Sequence, residues 1–411
     1  MDYDISDSSI TTLVLNGQDS GKAPGPESAP ANSSGRIPEL DGLRGCAILL
    51  VILCHYVGNA QHAQLGAWPH RFLSAFTAGW SGVDLFFVLS GFLIGGILLD
   101  VRMAPHYFRA FYMRRVYRIL PIYYLWTLLF AALIAWALLI FPGRFPVGRN
   151  ELFRVPVQLL FLQNIFIGMP SFTWNWFAVT WSLAVEEQFY LLAPPLIRFL
   201  TERKLAIALG ATIAVAPFLR FALFRYWAPG TYLAGFLMPC RADALAWGIL
   251  LAVGWRNAAF QDYVREHGAL LRGVLIALAV GLCVLLWWFV HPLNAFTVTI
   301  GYTWLGAFYG CLLLVVMSQK QGWLATVMRW KALGQLGTIS YCVYVIHLAI
   351  DRLAHSLVFH TEPQIYNLKG VGVTLLALVL TLALASLSWR YFEKPLIRRG
   401  HSFAYDDGPA A

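Results

Sequence analysis

DGLRGCAILLVILCHY, residues 41–56, decides how this chain is read. The run is apolar enough to cross a bilayer, yet it carries Arg44 at one end and His55 eleven residues further on. At 3.6 residues per turn that spacing returns to within about 20° of the same face, and at 1.5 Å rise it separates the two by ~16 Å. One helix therefore bears a cation at its mouth and an imidazole about half a bilayer deeper, on one stripe. Hydrocarbon rejects both groups, so the stripe must face a protein-lined or watery cavity.

Composition agrees. Of 411 residues 59% are hydrophobic and 12% charged, with a mean hydropathy of +0.62. Soluble domains carry roughly 25% charged residues. With repeated apolar runs of about 20 residues, this reads as an all-α polytopic membrane protein. The runs lack strict alternation, which excludes a β-barrel. The net charge of +9 fits basic inner loops and gives no reason to invoke nucleic acid. The six cysteines lie in apolar runs without CxxC spacing and read as small hydrophobes; no metal site is expected.

Residues 1–37 are rich in Ser, Gly, Pro, Asp and Asn and read as a disordered tail, not a signal peptide. Residues 59–79 read as a polar connection, followed by a span at 80–99. The basic loop that follows holds Arg102, Arg109, Arg114, Arg115 and Arg118, which places it and the N-terminus in the cytoplasm. A third span covers 119–141. Residues 152–168 are apolar but short and contain Arg154, Pro156, Gln158 and Gln163. If they span, every later basic cluster falls outside; if they do not, all fall inside. They therefore read as an interfacial or re-entrant segment. Further spans are expected at 176–200, 204–227, 232–254, 270–290, 296–318, 333–355 and 369–391. This gives about ten transmembrane helices around a central polar cavity, with both termini cytoplasmic and residues 400–411 a second tail. Pro194, Pro195, Pro217 and Pro239 are expected to kink their helices. No internal repeat of the alternating-access kind is present.

That topology sets the depth of the remaining polar residues. His55, Glu186 and Glu187 lie near the midplane, Arg241 and Asp243 at similar depth, and Asp84 and His347 in the outer half. Each has a bland reading beside a functional one. His55 could be a buried ring bonded to a backbone carbonyl. Glu186 and Glu187 point about 100° apart, so one can face the cavity while the other holds a neighbouring helix. Arg241 and Asp243 read better as a structural ion pair than as catalysts; His347 and Tyr341 stand evenly between the two. The cluster at Arg114, Arg115 and Arg118 could be a topology signal only. Yet Arg115 and Arg118 are three apart at a helix start, share a face and could hold a phosphate bidentately.

In order along the chain stand Arg44-x10-His55, GVDLFFVLSGFLI at 82–94, Arg115-x-x-Arg118, Ser182-x-x-x-Glu186 within WSLAVEEQFYL, RADAL at 241–245, SYCVYVIH at 340–347 and YFEKPLIR at 391–398. Together these resemble the acyltransferase-3 family of bacterial membrane proteins, over residues 38–399. The resemblance implies a ten-helix fold in the bacterial cytoplasmic membrane. It implies transfer of an acyl group, most often acetyl from acetyl-CoA, to an envelope carbohydrate or glycolipid. It implies that His55 is catalytic and that Arg115 and Arg118 lie on the donor side. Longer members append an extracytoplasmic esterase-like domain that is not expected here, and some relatives acylate small molecules such as macrolides.

The mechanism expected on this basis has acyl-CoA docking at the cytoplasmic face. Arg115 and Arg118 hold its phosphates, with Arg44 at the mouth. His55 acts as general base on an acceptor hydroxyl and is oriented by Glu186; a transient acyl-His55 is the alternative. A tyrosine, Ser182 or backbone donors could stabilise the oxyanion. The rival readings are a proton-coupled transporter or flippase using the same charges, or a scaffold for an export complex.

Overall fold

The computed structural model describes residues 37–141, 152, 154–167, 178–227, 233–288 and 294–406. Among them regular structure is helical throughout. In a bilayer only a helix satisfies every backbone group of a single segment internally, so apolar runs of this length have one stable form. The principal helices are α1 (Pro38–Leu53), α2 (Gly82–Asp100), α3 (Tyr107–Ile140), α4 (Trp181–Phe199), α5 (Glu202–Ala222), α6 (Met238–Trp255), α7 (Gly268–Trp288), α8 (Tyr302–Ser318), α9 (Lys331–Phe359), α10 (Leu368–Ser388) and α11 (Lys394–His401).

Eight described helices are long and apolar enough to cross a membrane, and a ninth is added if the bent pair Ala258–Glu266 and Gly268–Val284 forms one span. The remaining expected span, at 176–200, holds α4. Glu186, Glu187, Gln188 and Arg198 make α4 more polar than the other spans, but it buries Ser182, Ala184, Val185 and Phe189. Residues 176 and 177 lie outside the described set, as do residues 1–36 of the expected N-terminal tail.

Two tight helix crossings organise the bundle. α1 lies on α9 so closely that a Cβ on Gly45 would sit 2.1 Å from the Leu333 carbonyl oxygen, and one on Gly337 2.0 Å from that of Asp41. α2 lies on α6 in the same way: a Cβ on Gly91 would meet the Leu245 oxygen at 2.1 Å and one on Gly248 the Val88 oxygen at 2.2 Å. Small residues allow backbone approach where lipid supplies no hydrophobic drive between helices. α5 and α10 turn apolar side chains outward, among them Ile207, Phe218, Leu375 and Val379, all exposed as a lipid-facing surface requires.

Contacts among helix ends gather the basic loops on one side. Arg256 pairs with Asp100 at 2.7 Å, Arg329 with Glu39 at 3.0 Å, and Arg272 donates to Gln319 at 2.7 Å. Arg102 donates to the Leu200 carbonyl. The ends of α2, α4, α6 and α8 and the starts of α1, α3, α7 and α9 thus form a single basic end.

The structure bears on several local expectations. Among the described residues of 152–168 the helices Val155–Leu159 and Gln163–Phe166 are short, and neither is long enough to span. They dock on α3 through Tyr123 and Tyr124, whose hydroxyls donate to the carbonyls of Gln158 and Leu159. The connection at 59–79 is largely helical, because Ala67–Ser74 and Ala75–Ser81 lead directly into α2. Pro239 does not kink a helix: it occupies the first turn of α6, where its missing N–H would have had no partner. Pro195 does free a carbonyl, that of Leu191, and the Tyr112 hydroxyl bonds it at 3.2 Å. The expected C-terminal tail is packed as far as Asp406: the His106 N–H donates to the Tyr405 carbonyl at 3.1 Å, and Tyr405 is 7% exposed.

The crossings make a direct prediction. Gly45→Ala and Gly337→Ala should each lower thermal stability in detergent by about 1–3 kcal/mol, the range for overpacking. Gly334→Ala, on the same helix with open space around it, should raise it by about 0.5–1 kcal/mol through helix propensity.

Candidate active site: two cavities with a common wall

The intramembrane polar residues do not all face one central cavity, as expected: most line two, and Asp84, Asp243 and His347 line neither of these. The first, about 100 Å³, lies towards the basic end. α1 contributes Arg44, α2 Ser90, α3 Arg115 and Arg118, α4 Ser182, Glu186, Glu187 and Tyr190, and α9 Ser340 and Tyr341. The second, about 560 Å³, is lined by His55, Asn59, Thr77, Trp80, Trp181, Arg241, Tyr302, Leu348 and Arg352. Val83 and Tyr344 line both. The Tyr344 hydroxyl donates to the Val179 carbonyl at 2.9 Å and is hydrogen-bonded to the Ser182 hydroxyl at 2.6 Å, which also lies 3.3 Å from that carbonyl. Tyr344 is thereby pinned as a partition between the arginines and His55. Arg44 and His55 do share the cavity-facing stripe of α1, but they open onto different cavities.

In the smaller cavity three guanidiniums share the space with the carboxylates of Glu186 and Glu187, but not as close ion pairs. Arg44 has Asp41 at 3.6 Å. No carboxylate pairs with Arg115 or Arg118 among the described residues, and the Arg115 guanidinium instead lies near the rings of Phe111 and Tyr190, at 5.8 and 5.7 Å. Arg115 Nε is buried with no hydrogen-bond partner. Glu186 accepts from Ser90 at 2.7 Å and from Tyr190 at 3.4 Å. This overturns one expectation: Glu186 faces the arginine cavity and does not orient His55. Tyr341, also here, donates to the Ile119 carbonyl at 3.1 Å.

His55 lies where α1 passes into a π-helical turn, Cys54–Gly58, the kind of insertion that re-aims side chains at functional sites. Its Nδ1 is 2.9 Å from the Val51 carbonyl and 3.3 Å from His347 Nε2. His347 Nδ1 faces the Tyr344 and Val343 carbonyls at 2.8 and 3.2 Å. Carbonyls only accept, so in the neutral ring the proton sits on His347 Nδ1 and its Nε2 carries a lone pair. Both partners of His55 Nδ1 are then acceptors, which puts the His55 proton on Nδ1. Its Nε2 is left as a lone pair on a ring lining the larger cavity. The bland reading, a ring bonded to a carbonyl, is true of Nδ1 and is what prepares Nε2.

Arg241 and Asp243 do not pair with each other. Two residues apart on α6 they point to different sides, and each finds a partner on another helix. Arg241 bonds Asp84 of α2 at 2.7 Å and stacks on Tyr302, 3.7 Å from the ring centroid. Asp243 binds Arg220 of α5 at 2.9 Å and accepts from Thr303 at 2.5 Å. Arg220 was not singled out in the sequence, although a lone cation inside an apolar run was the available signal. The same holds for Asp351 and His355, fully buried one and two turns beyond His347. His355 Nε2 is 2.9 Å from Thr374 Oγ1 and 3.7 Å from Asp351 Oδ1.

Such a structure is that of a helical membrane protein with a cation-lined cavity and a basic imidazole on opposite sides of one tyrosine. A family model described as an acyltransferase domain matches residues 37–390, and the chain belongs to that family. It is 27% identical over 380 residues to the peptidoglycan O-acetyltransferase OatA of Listeria monocytogenes, covering 89% of this chain and 56% of that protein. It is 25% identical over 386 residues to the O-acetyltransferase OatA of Staphylococcus aureus, covering 90% of this chain and 58% of the relative. The chain thus spans a little over half the length of these curated relatives. No solved structure matches.

Removing one partner of a buried ion pair strands the other. Arg220→Ala should therefore destabilise the protein by about 3–5 kcal/mol in a detergent unfolding assay. Combining Arg220→Gln with Asp243→Asn should restore most of that loss.

Proposed function

We propose that this protein is a membrane O-acyltransferase that moves an acetyl group from cytoplasmic acetyl-CoA to a hydroxyl of an envelope carbohydrate or glycolipid, with His55 as general base. The observation that carries this reading is the pairing of a bare imidazole Nε2 in a cavity of about 560 Å³ with unpaired guanidiniums in the adjoining one. The names of its relatives support acetyl transfer to peptidoglycan as the first acceptor to test. The basic end faces the cytoplasm of a bacterial cell under the positive-inside rule, with both termini on that side.

In this mechanism Arg115 and Arg118 hold donor phosphates, with Arg44 beside them. Guanidinium forks suit phosphate geometry, and those of Arg115 and Arg118 carry no carboxylate to displace. The pantetheine arm carries the thioester past Tyr344. His55 Nε2 takes the proton of the acceptor hydroxyl as its oxygen attacks the thioester carbonyl. The C–S bond breaks, and the thiolate leaves as CoA-SH with the proton returned by His55. His347 is a positioning residue: its Nε2 accepts from His55 Nδ1 and so holds the tautomer that keeps His55 Nε2 basic. Glu186, in place of its expected role, holds Ser90 and Tyr190 against the donor cavity.

Purified protein in lipid nanodiscs, given radiolabelled acetyl-CoA and peptidoglycan fragments, tests the reading. His55→Ala should abolish labelled ester in a protein that still folds; full activity in that variant would sink the proposal. His347→Phe should lower kcat by about 10²-fold, within the range assigned to acid–base catalysis, with little change in KM for acetyl-CoA. Arg118→Ala should raise that KM by at least about tenfold, the loss of one charge-assisted hydrogen bond, with little change in kcat.

A further inference from the structure

Beyond the region matched by the family model, the chain turns back on the basic end. α11 lies against α3 so closely that a Cβ on Gly400 would sit 3.0 Å from Tyr117 Cβ. The segment that follows reaches the first turns of α3. Arg114 Nε donates to the Phe403 carbonyl at 3.0 Å, and its guanidinium sits 4.6 Å from the centre of the Tyr405 ring. Arg109 lies 5.7 Å from the Phe403 ring, which packs beside Tyr117 at 5.9 Å. A small space lined by Arg114, Arg115, Arg118, Ile397, His401 and Tyr405 separates this segment from the arginine cavity. Arg115 and Arg118 line both spaces, so the segment stands on the route from the basic end to the donor cavity.

The chemistry of these contacts is unusual for four cations within ten residues of one helix. Among the described residues no carboxylate pairs with Arg109, Arg114, Arg115 or Arg118. Arg114 meets a neutral carbonyl and the Tyr405 ring, and Arg109, which is exposed, meets the Phe403 ring. An anion with several oxygens makes hydrogen bonds to guanidinium about twice as strong as a neutral acceptor does. The strap therefore holds the site with partners that a polyphosphate outcompetes.

We propose that residues 402–406 are a self-ligand occupying a polyphosphate-binding site at Arg109 and Arg114, and that the phosphate-bearing end of the acyl donor displaces them on its way to Arg115 and Arg118. This rests on the donor reading above and adds to it two cations and a displaceable strap. If the strap is closed about four-fifths of the time, it weakens apparent donor affinity about fivefold, since affinity scales with the competent fraction.

Hydrogen exchange on the full chain in neutral-lipid nanodiscs tests this, with CoA and inorganic pyrophosphate as probes. Saturating CoA should speed exchange of the amides of Ser402 to Asp406 about fivefold, pyrophosphate should do the same, and Phe403→Ala with Tyr405→Ala should bind CoA about fivefold more tightly. Unchanged or slower exchange with both probes would overturn the proposal, as would weaker CoA binding in the double variant, since the strap would then be a clamp or a simple anchor. Release seen only when the nanodisc contains anionic lipid, without either probe, would assign the site to headgroups and overturn the donor assignment. Acetyl transfer measured on the same preparation separates the two readings. Transfer without strap release removes the self-ligand and leaves the enzyme. Release without transfer leaves the phosphate site and removes the acyltransferase.

Discussion

A charge among apolar helices must find its opposite inside the protein, because lipid offers none, and two such pairs fix how half of this bundle fits together. Asp84–Arg241 joins α2 to α6, and Arg220–Asp243 joins α6 to α5, with Thr303 of α8 bonded to the same carboxylate. The Arg220–Asp243 pair is further satisfied by Thr303 and two carbonyls, the condition under which burial of ions is tolerated. In the other pair Asp84 Oδ2 and Arg241 Nε and Nη1 have no hydrogen-bond partner among the described residues, and the guanidinium rests on the Tyr302 ring. α6 meets α2 at glycine-to-carbonyl distance and still presents a cation, Arg241, to one neighbour and an anion, Asp243, to another. The result is a rigid wall of the larger cavity, with Arg241 stacked on Tyr302.

The same constraint shapes the imidazoles. His55 and His347 are held by backbone carbonyls that can only accept, and that fact assigns both protons without reference to solvent. A carbonyl is a fixed partner, since helix geometry locates it. The lone pair on His55 Nε2 is therefore set by carbonyls of each ring's own helix, and the packing of α1 on α9 brings the two rings together.

Function follows from what the tyrosine at position 344 separates. A cavity with unpaired guanidiniums suits a phosphorylated donor; a larger one with aromatic walls and a basic nitrogen suits an alcohol. Tyr344, held by Ser182 and Val179, stands between the two cavities. In the proposed mechanism it keeps donor and acceptor apart until the thioester passes, and excluding water there would protect an activated acyl group. The proposed strap at Phe403 and Tyr405 would add a second closure on the basic side, built from contacts to arginine.

Much was legible in the residues alone. Apolar run length without strict alternation pointed to helices, and charge asymmetry argued that residues 152–168 do not cross, where the described residues form short helices. His55 stood out because hydrocarbon makes a polar side chain conspicuous, and Arg115 and Arg118 because their spacing puts them on one helix face. Pairing was not legible. Arg241 and Asp243 are neighbours in sequence yet bond to different helices, and Glu186, level with His55 by depth, faces the other cavity because rotation about a helix axis is set by packing. Nor could the C-terminal segment be told from a free tail, since its anchors are a carbonyl and two aromatic rings that carry no charge signal. Periodicity and hydropathy report where a side chain lies along the membrane normal. Only the tertiary structure decides which way it turns in the plane, and that choice makes one cavity or two.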